Sequence, residues 1–424
     1  MKNKILFFLL AFYTATFAQK TAIDTAQIVV PNRINSPAAM DKPYVILISA
    51  DGFRYDYAQK YNAENLLRFS ASGVQADAMI PSFPSITGPN HYTLITGMYP
   101  SHTGFVDNYF FDNQRKEYFS MSKKETISDG SWLNGVPLWS LAEQQGMICA
   151  SLFWVASNSD AGGTRPTYYY DYHEQFTEDQ KINILINWLK LPAEVRPHFI
   201  TYYFPQVDKN GHIYGPNASE TKDAVKMVDE NIAKIVARVK ALNLPNVNFI
   251  FVSDHGMTEV DTENPLAIPS MLLDESRFVT ISGQTLLRVM VKNEAEVKSV
   301  FKTLKKGRTP DYKVYLTKKF PKRLHYRTSD DRKNRIGQIL LVPKAPKIFL
   351  RPGEKTKSGK HGYDPCHNSD MKSTFYAWGD AFKPNLKIRE FENVNVYPLV
   401  TEILDLKITE PIDGKAEVLK KVLK

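Results

Sequence analysis

Three apolar runs, separated by stretches of helical character, constrain the fold of this chain more than any other feature. The runs are YVILISAD (44–51), HFITYYF (198–204) and VNFIFVSD (247–254). Continuous apolar runs of this length are typical of strands that are buried on both faces. Strands that alternate with helices favour an α/β fold with a doubly wound, largely parallel central sheet, whose ligands bind beyond the carboxyl ends of the strands.

The clearest helical stretch lies at 219–242. Apolar residues recur there at three- and four-residue spacing, which predicts a helix with one buried face. We expect Ser219 to cap the start of this helix. The residues of the predicted buried face are Val225, Val228, Ile232, Ile235, Val236 and Val239.

The character of the sequence changes between about residues 272 and 360. Alternating runs at 285–291 and 338–343 flank the helical segment EAEVKSVFKTLKK, a pattern that predicts a small inserted α+β subdomain. Much of the positive charge lies here, between Lys302 and Arg335. A basic surface can attract nucleic acid or anionic substrates. Because no nucleic-acid-binding module accompanies it, a solvated basic face is the favoured interpretation, and no stable nucleic-acid complex is expected.

The first residues, MKNKILFFLLAFYTATFAQK, place two lysines before a short apolar run that ends in small residues. This arrangement is typical of a cleavable signal peptide at residues 1–18, followed by a mature domain at residues 19–424. The run is shorter than the ~20 residues of a membrane span, so we expect a secreted or periplasmic protein without a transmembrane segment. Removal of the signal lowers the formal charge from +9 to +7. The sequence leaves open whether its two cysteines, Cys149 and Cys366, form a disulfide.

Acidic and histidine side chains follow the predicted strands where a shared site would form. Singly, each is ordinary, since an aspartate after a strand is commonly a turn former or a helix cap. Their coincidence at one sheet edge instead indicates a centre for Zn²⁺ or a similar divalent ion, which carboxylate and imidazole ligands suit. Two such ions about 4 Å apart would clamp the attacking and leaving oxygens of a phosphoryl transfer. The candidate ligands are Asp51, Asp208, His212, Asp254, His255 and His361.

Five segments follow one another in the order ISADGFRYDY, SITGPNHYTLITGMYPSHTGFVDN, HFITYYFPQVDKNGHIYGP, FVSDHGM and KHGYD. Together they resemble the nucleotide pyrophosphatase/phosphodiesterase family of the alkaline phosphatase superfamily, and the resemblance extends from about Lys42 to the C-terminus. It implies an alkaline-phosphatase-like fold and two zinc ions. The implied ligands are Asp208, His212 and His361 for one ion, and Asp51, Asp254, His255 and the nucleophile Thr87 for the other.

The residues around Thr87 are consistent with a nucleophilic role. Pro89 suits the first turn of a helix that can run to Gly97, which places Thr87 at a helix N-terminus, where negative charge is favoured. A zinc ion on the hydroxyl would lower its pKa, so we expect in-line attack and a phosphothreonine intermediate that water then releases. Without the metal residues, Thr87 would be interpreted as a plain helix cap. Asn108 matches the family asparagine that hydrogen-bonds a phosphate oxygen.

The residues that would contact the substrate give a mixed indication. By the resemblance, Tyr172 matches the tyrosine that stacks on a nucleobase and Trp154 an aromatic residue of the same pocket; stacking contributes about 1–3 kcal/mol per base. Gly88 departs from the pattern, because family members that act on nucleotides usually carry Phe after the nucleophile. The resemblance and the two aromatic residues still lead us to expect a small-molecule phosphodiester substrate, most simply a nucleotide. Choline-type phospholipid diesters and phosphate monoesters remain alternatives, and a non-catalytic binding protein is disfavoured because every metal-site position is present.

Overall fold

The computed structural model describes residues 25–424; the predicted signal peptide lies outside them. In this part of the chain no helix is both long and apolar enough to cross a membrane. The strands are β1 (Ile28–Val29), β2 (Tyr44–Ala50), β3 (Val74–Ala76), β4 (Met79–Ile80), β5 (Tyr109–Asp112), β6 (Glu117–Ser120), β7 (Cys149–Leu152), β8 (Tyr168–Tyr170), β9 (Phe199–Phe204), β10 (Val247–Val252), β11 (Thr258–Glu259), β12 (Leu266–Ala267), β13 (Phe278–Ser282), β14 (Leu287–Val291), β15 (Tyr312–Leu316), β16 (Ile339–Pro343), β17 (Phe349–Leu350), β18 (Gly359–Lys360), β19 (Phe375–Gly379), β20 (Leu386–Ile388) and β21 (Phe391–Glu392).

The α-helices alternate with these strands through most of the chain. They are α1 (Pro37–Met40), α2 (Tyr57–Lys60), α3 (Glu64–Ala71), α4 (Thr87–Thr96), α5 (Pro100–Thr103), α6 (Lys124–Ile127), α7 (Leu138–Gln144), α8 (Glu178–Leu189), α9 (Gln206–Tyr214), α10 (Ser219–Lys240), α11 (Val297–Gly307), α12 (Val396–Leu404) and α13 (Ala416–Lys420).

The central sheet has nine strands in the order β1-β8-β7-β9-β2-β10-β19-β3-β20. The three apolar runs predicted as strands are β9, β2 and β10, which lie side by side and parallel at its centre. In their register Ala50 lies opposite Phe204, and Ser49 lies opposite Val252. The sheet is therefore largely parallel, as predicted, although β19 and the edge strand β1 pair antiparallel with their neighbours.

Helices cover both faces of this sheet. Alternate residues of β2 point to opposite faces, as in any strand. Val45 and Leu47 pack in one apolar cluster with residues of α4, α7 and α12. Ile46 and Ile48 pack in the other cluster, with residues of α8 and α10. This alternation is the physical reason why β2 reads as a continuous apolar run and why the fold is doubly wound.

Helix α10 forms where the apolar spacing predicted it, but the prediction for its cap is wrong. Ala218 occupies the cap position and Ser219 is the first helical residue. The hydroxyl of Ser219 donates to the carboxylate of Glu220 at 3.0 Å instead of accepting from the helix backbone.

A smaller four-stranded antiparallel sheet, in the order β13-β14-β16-β15, lies within the segment predicted as an insertion. Helix α11 packs on it, and the two share an apolar cluster that includes Val300, Leu304 and Phe349. Neither cysteine is in a disulfide: Cys149 is buried in β7 and Cys366 is exposed.

Candidate active site

The sheet register brings the predicted acidic residues together. Asp51 directly follows β2 and Asp254 follows the neighbouring β10, while Asp208 lies in the first turn of α9, just beyond β9. Gly52 has a φ of +68°, and a Cβ built on it would lie 2.9 Å from the Cα of Asp208. Only glycine allows α9 to approach the end of β2 this closely.

One group of candidate ligands is fully buried and consists of Asp51, Asp254 and His255. The Nε2 atom of His255 lies 2.9 Å from Asp254 Oδ2 and 3.5 Å from Asp51 Oδ1. Thr87 is the first residue of α4, and its hydroxyl oxygen lies 3.0 Å from the same Nε2 atom. The structure thus places the predicted nucleophile within this group.

The second group consists of Asp208, His212 and His361. The Nε2 atoms of the two histidines lie 3.1 Å apart, and they lie 3.4 Å and 3.6 Å from Asp208 Oδ1. Asp208 and His212 are four residues apart on α9, so they share one helix face. The rings of His361 and His255 stack with centroids 3.5 Å apart, so the two groups are adjacent.

The hydrogen bonds of the three histidines determine which ring nitrogen of each can bind a metal ion. The Nδ1 atoms contact backbone carbonyls: Gly359 for His212, Ser85 for His361, and Gly256 for His255, at 2.7–2.9 Å. A carbonyl can only accept, so each Nδ1 donates and each Nε2 lone pair faces the centre of the site. Burial also holds the pKa of His361 well below its usual range, with the charges of His255 and His212 adding to the effect.

This arrangement fits metal ions. Oxygens of all three aspartates, Asp51 Oδ1, Asp208 Oδ1 and Asp254 Oδ2, are buried without a hydrogen-bond donor in the described part of the chain. Burial and the charges of Asp254 and Asp208 raise the pKa of Asp51 well above its usual range. Unpaired buried carboxylates and converging imidazole lone pairs are costly alone, whereas a divalent cation satisfies both.

Two further residues support the site: His91, which the sequence motif predicts to be structural, and Tyr203, which was not identified from the sequence. Tyr203, on β9, donates its hydroxyl to Asp51 Oδ2 at 2.5 Å. His91 lies one turn after Thr87; its Nδ1 contacts the Thr87 carbonyl at 3.0 Å and its Nε2 contacts the Ser49 hydroxyl at 2.8 Å. These contacts fix the start of α4 against β2. Tyr203 lies next to Tyr202 in the β9 run, so no local pattern in the sequence distinguishes it.

Asn108 lies beside the backbone of the residue that follows Thr87. Its Oδ1 atom accepts a hydrogen bond from the Gly88 N–H at 2.8 Å. This bond fixes the orientation of the amide, so the Nδ2 group is the side that can donate to a ligand. The predicted phosphate-binding role of Asn108 therefore has the necessary donor.

Two of the three predicted substrate residues, Tyr172 and Trp154, line a cavity of about 350 Å³ together with Thr87, whereas Gly88 does not line it. Tyr172 is half exposed and its ring lies 6.0 Å from that of Tyr203. Trp154 is 2% exposed, and its indole N–H donates to the His91 carbonyl. It therefore supports helix α4 and offers little surface to a ligand in the cavity. A Cβ on Gly88 would lie 2.6 Å from Phe105 and 2.8 Å from Met121 Sδ. The space beside Gly88 is therefore already filled.

A second opening, of about 320 Å³, adjoins the first cavity, with which it shares Tyr172 and Tyr203. Asp208 and His212 line it together with Tyr172, Lys209 and Lys357. Lys209 forms an ion pair with Glu174 at 2.5 Å. Lys357 is exposed and forms no ion pair with the residues that the structure describes.

Comparisons with known proteins agree with this geometry. The family described as type I phosphodiesterase / nucleotide pyrophosphatase matches residues 45–364. The venom phosphodiesterase CdcPDE of Crotalus durissus collilineatus is 32% identical over 400 residues, which cover 92% of this chain and 47% of that protein. Ectonucleotide pyrophosphatase/phosphodiesterase family member 3 of Bos taurus is also 32% identical over 400 residues, covering 92% of this chain and 45% of its own length. The chain thus spans about half the length of these relatives.

Solved structures extend the likeness to three dimensions. Murine ectonucleotide pyrophosphatase/phosphodiesterase 5 matches with a TM-score of 0.82 and 26% identity, over 90% of this chain and 100% of that structure. A second structure of the murine protein is an inactive threonine-to-alanine variant in complex with AMP. These matches confirm the alkaline-phosphatase-like α/β fold that the sequence predicted. The chain belongs to the type I phosphodiesterase / nucleotide pyrophosphatase family.

Proposed function

We propose that this protein is a secreted two-zinc hydrolase that cleaves phosphodiester or pyrophosphate bonds of nucleotides through a phosphothreonine intermediate. The observation that carries the proposal is the position of the Thr87 hydroxyl, 3.0 Å from His255 Nε2 and beside two adjacent groups of metal-ligating side chains. A threonine that served only as a helix cap would not require metal-ligating side chains around its hydroxyl.

The residues of the two groups would hold one ion each. Asp51, Asp254, His255 and the Thr87 oxygen form one set, and Asp208, His212 and His361 form the other. Mixed aspartate and histidine ligands suit zinc. When bound, the ions would lower the pKa of the Thr87 hydroxyl and neutralise charge on the phosphate.

The chain supplies position and electrostatic stabilisation. Thr87 begins α4, so the helix dipole favours the negative charge that develops there. Asn108 Nδ2 is available to donate to a non-bridging phosphate oxygen. The inactivity of the threonine-to-alanine variant of the murine relative supports the assignment of Thr87 as the nucleophile.

Side chains in the two openings beside Thr87 and the metal-ligating groups favour a nucleotide. Tyr172 presents a half-exposed ring in the cavity beside Thr87, suited to stacking on a base. Lys357 lines the second opening, where an anionic leaving group such as pyrophosphate would be attracted and a cationic choline repelled. The AMP bound to the murine relative is consistent with this assignment.

The test is a comparison of kcat/KM for nitrophenyl esters of thymidine monophosphate, of phosphocholine and of phosphate. We expect the nucleotide ester to be hydrolysed fastest. A large preference for phosphocholine would replace the nucleotide by a phospholipid-type diester, and a large preference for the monoester would overturn the diesterase assignment.

The proposal of secretion rests on the first 18 residues, in which two lysines precede a short apolar run. Expression of the full chain should yield a mature protein that begins at Gln19. N-terminal sequencing of the exported fraction checks this, and an intact Met1 on the active protein would contradict it.

A further inference from the structure

A further cavity, of about 330 Å³, lies away from the candidate active site, between the four-stranded antiparallel sheet and the loop that follows His361. We call it the Phe83 cavity. Its base is aromatic and buried: Phe83, Phe320 and Tyr363 are 2–3% exposed, and the Phe83 and Phe320 rings lie 5.3 Å apart. None of the candidate metal ligands lines it, and it shares no lining residue with the cavity beside Thr87.

The rim of the Phe83 cavity is positively charged. Lys313 and Lys344 line it and are exposed, and neither forms an ion pair with any residue from 25 to 424. Arg323 also lines it, but its guanidinium is paired with Asp364. The two lysines therefore leave an uncompensated positive charge above an aromatic base.

We propose that the Phe83 cavity binds a small organic anion with a flat or aliphatic apolar body. The apolar part would pack against the partly exposed apolar lining residues Tyr315 and Val342, above the buried aromatic base, and the anionic group would meet Lys313 and Lys344. This site is independent of the function proposed for Thr87, because it uses different residues and no metal.

The probe for the test is 8-anilinonaphthalene-1-sulfonate, an aromatic anion whose fluorescence rises in apolar surroundings, titrated into the zinc-loaded full-length mature protein. We expect saturable binding that weakens about fivefold or more when Lys313→Ala and Lys344→Ala are combined, because two charge contacts are lost. Ala345→Trp, at the exposed rim, should abolish binding by filling the opening. Competition with decanoate and with naphthyl phosphate distinguishes a carboxylate ligand from a phosphate ligand.

Matched controls separate charge from general effects. Lys318→Ala combined with Lys319→Ala removes two exposed lysines of the same region that do not line the cavity, and should leave the affinity unchanged. The neutral probe N-phenyl-1-naphthylamine should bind the Lys313/Lys344 variant as well as the unmodified protein. The proposal is overturned if that variant binds the anionic probe normally, or if Tyr172→Ala weakens it instead, since the probe would then occupy the cavity beside Thr87.

Discussion

The Nε2 atoms of His212 and His361 lie 3.1 Å apart, and neither can donate a hydrogen bond to the other because both Nδ1 atoms donate to carbonyls. A cation between them and Asp208 removes this conflict. We therefore expect about two zinc ions per chain, and a melting temperature several degrees lower after chelation, since an ion at 100 times its Kd stabilises the fold by about 2.7 kcal/mol. Elemental analysis and calorimetry measure both.

Histidine variants locate those ions. His212→Ala should leave one firmly bound ion, whereas His367→Ala, an exposed histidine outside both groups, should retain two. An equal metal content in the two variants would show that the ion is bound elsewhere.

Removal of the charge on Asp51 should change the melting temperature in opposite directions with and without bound metal. Burial, with the charges of Asp254 and Asp208, raises the pKa of Asp51 in the metal-free protein. A carboxyl group whose pKa is raised by folding stabilises the fold at acid pH, and this contribution is lost as pH rises through the folded-state pKa. In chelator at about pH 8, Asp51→Asn should melt above the unmodified protein, and the difference should shrink toward acid pH.

With zinc present the order should reverse, because Asp51→Asn loses a charged ligand. Melting curves in zinc and in chelator, over a pH series, provide the comparison. A variant that is less stable under both conditions would contradict the repulsion described for the metal-free site.

Thr87→Ala should lower kcat on a nucleotide diester by at least about a thousandfold, because no other hydroxyl replaces the nucleophile. Zinc content should be nearly unchanged. Thr93→Val is the matched control on α4: the Thr93 hydroxyl is buried and has no partner in the described chain, so its removal should leave turnover intact. Substantial turnover by Thr87→Ala would reject the nucleophile assignment.

A side chain at position 88 should destabilise the fold less when Met121 is shortened. Gly88→Ala places a methyl group 2.8 Å from Met121 Sδ and 2.6 Å from Phe105, which should destabilise the fold by about 1–3 kcal/mol. On a Met121→Ala background the same change should cost less, because the thioether no longer fills the space. Urea unfolding of the four proteins in this double-mutant cycle gives the coupling energy. If the changes in unfolding free energy of the two substitutions simply add, the contact between the side chain at position 88 and Met121 is excluded.

Tyr172→Ala should reduce kcat/KM for the nitrophenyl ester of thymidine monophosphate by about 5- to 100-fold, from the loss of about 1–3 kcal/mol of stacking. The effect on bis-nitrophenyl phosphate, which has no base, should be smaller. Tyr118→Ala removes a similarly exposed ring that does not line the cavity and serves as the control. Equal losses on both substrates would mean that Tyr172 supports the site without stacking on the base.

The central part of the fold could be predicted because its signals are local. The β2, β9 and β10 runs are apolar on both faces, and Asp51 and Asp254 follow two of them directly. The i, i+4 spacing of Asp208 and His212 needs only one helical turn. The antiparallel pairing of β19 was not predicted, because it depends on a long-range connection that no local pattern records.

Features that depend on tertiary packing could not be predicted. The carbonyls that orient His212 and His361 come from Gly359 and Ser85, far away in the chain. The sequence showed that Gly88 lacks the phenyl ring usual at this position in the family. It did not show that Met121 fills the space beside Gly88 instead. Ser219 looked like a cap because propensity alone cannot fix a helix start to one residue.

The close approach of Gly52 to Asp208 has a consequence for how such a protein can change. Since this contact joins backbone to backbone, the spacing of the two ligand groups is set by the main chain and not by side-chain packing. Met121 and Tyr172, which shape the neighbouring cavity, come from the segment after β6 and the segment after β8. Substitutions at Met121 or Tyr172 can therefore reshape the cavity and leave this backbone contact in place, whereas Tyr203, which also lines the cavity, is tied to the site through its bond to Asp51.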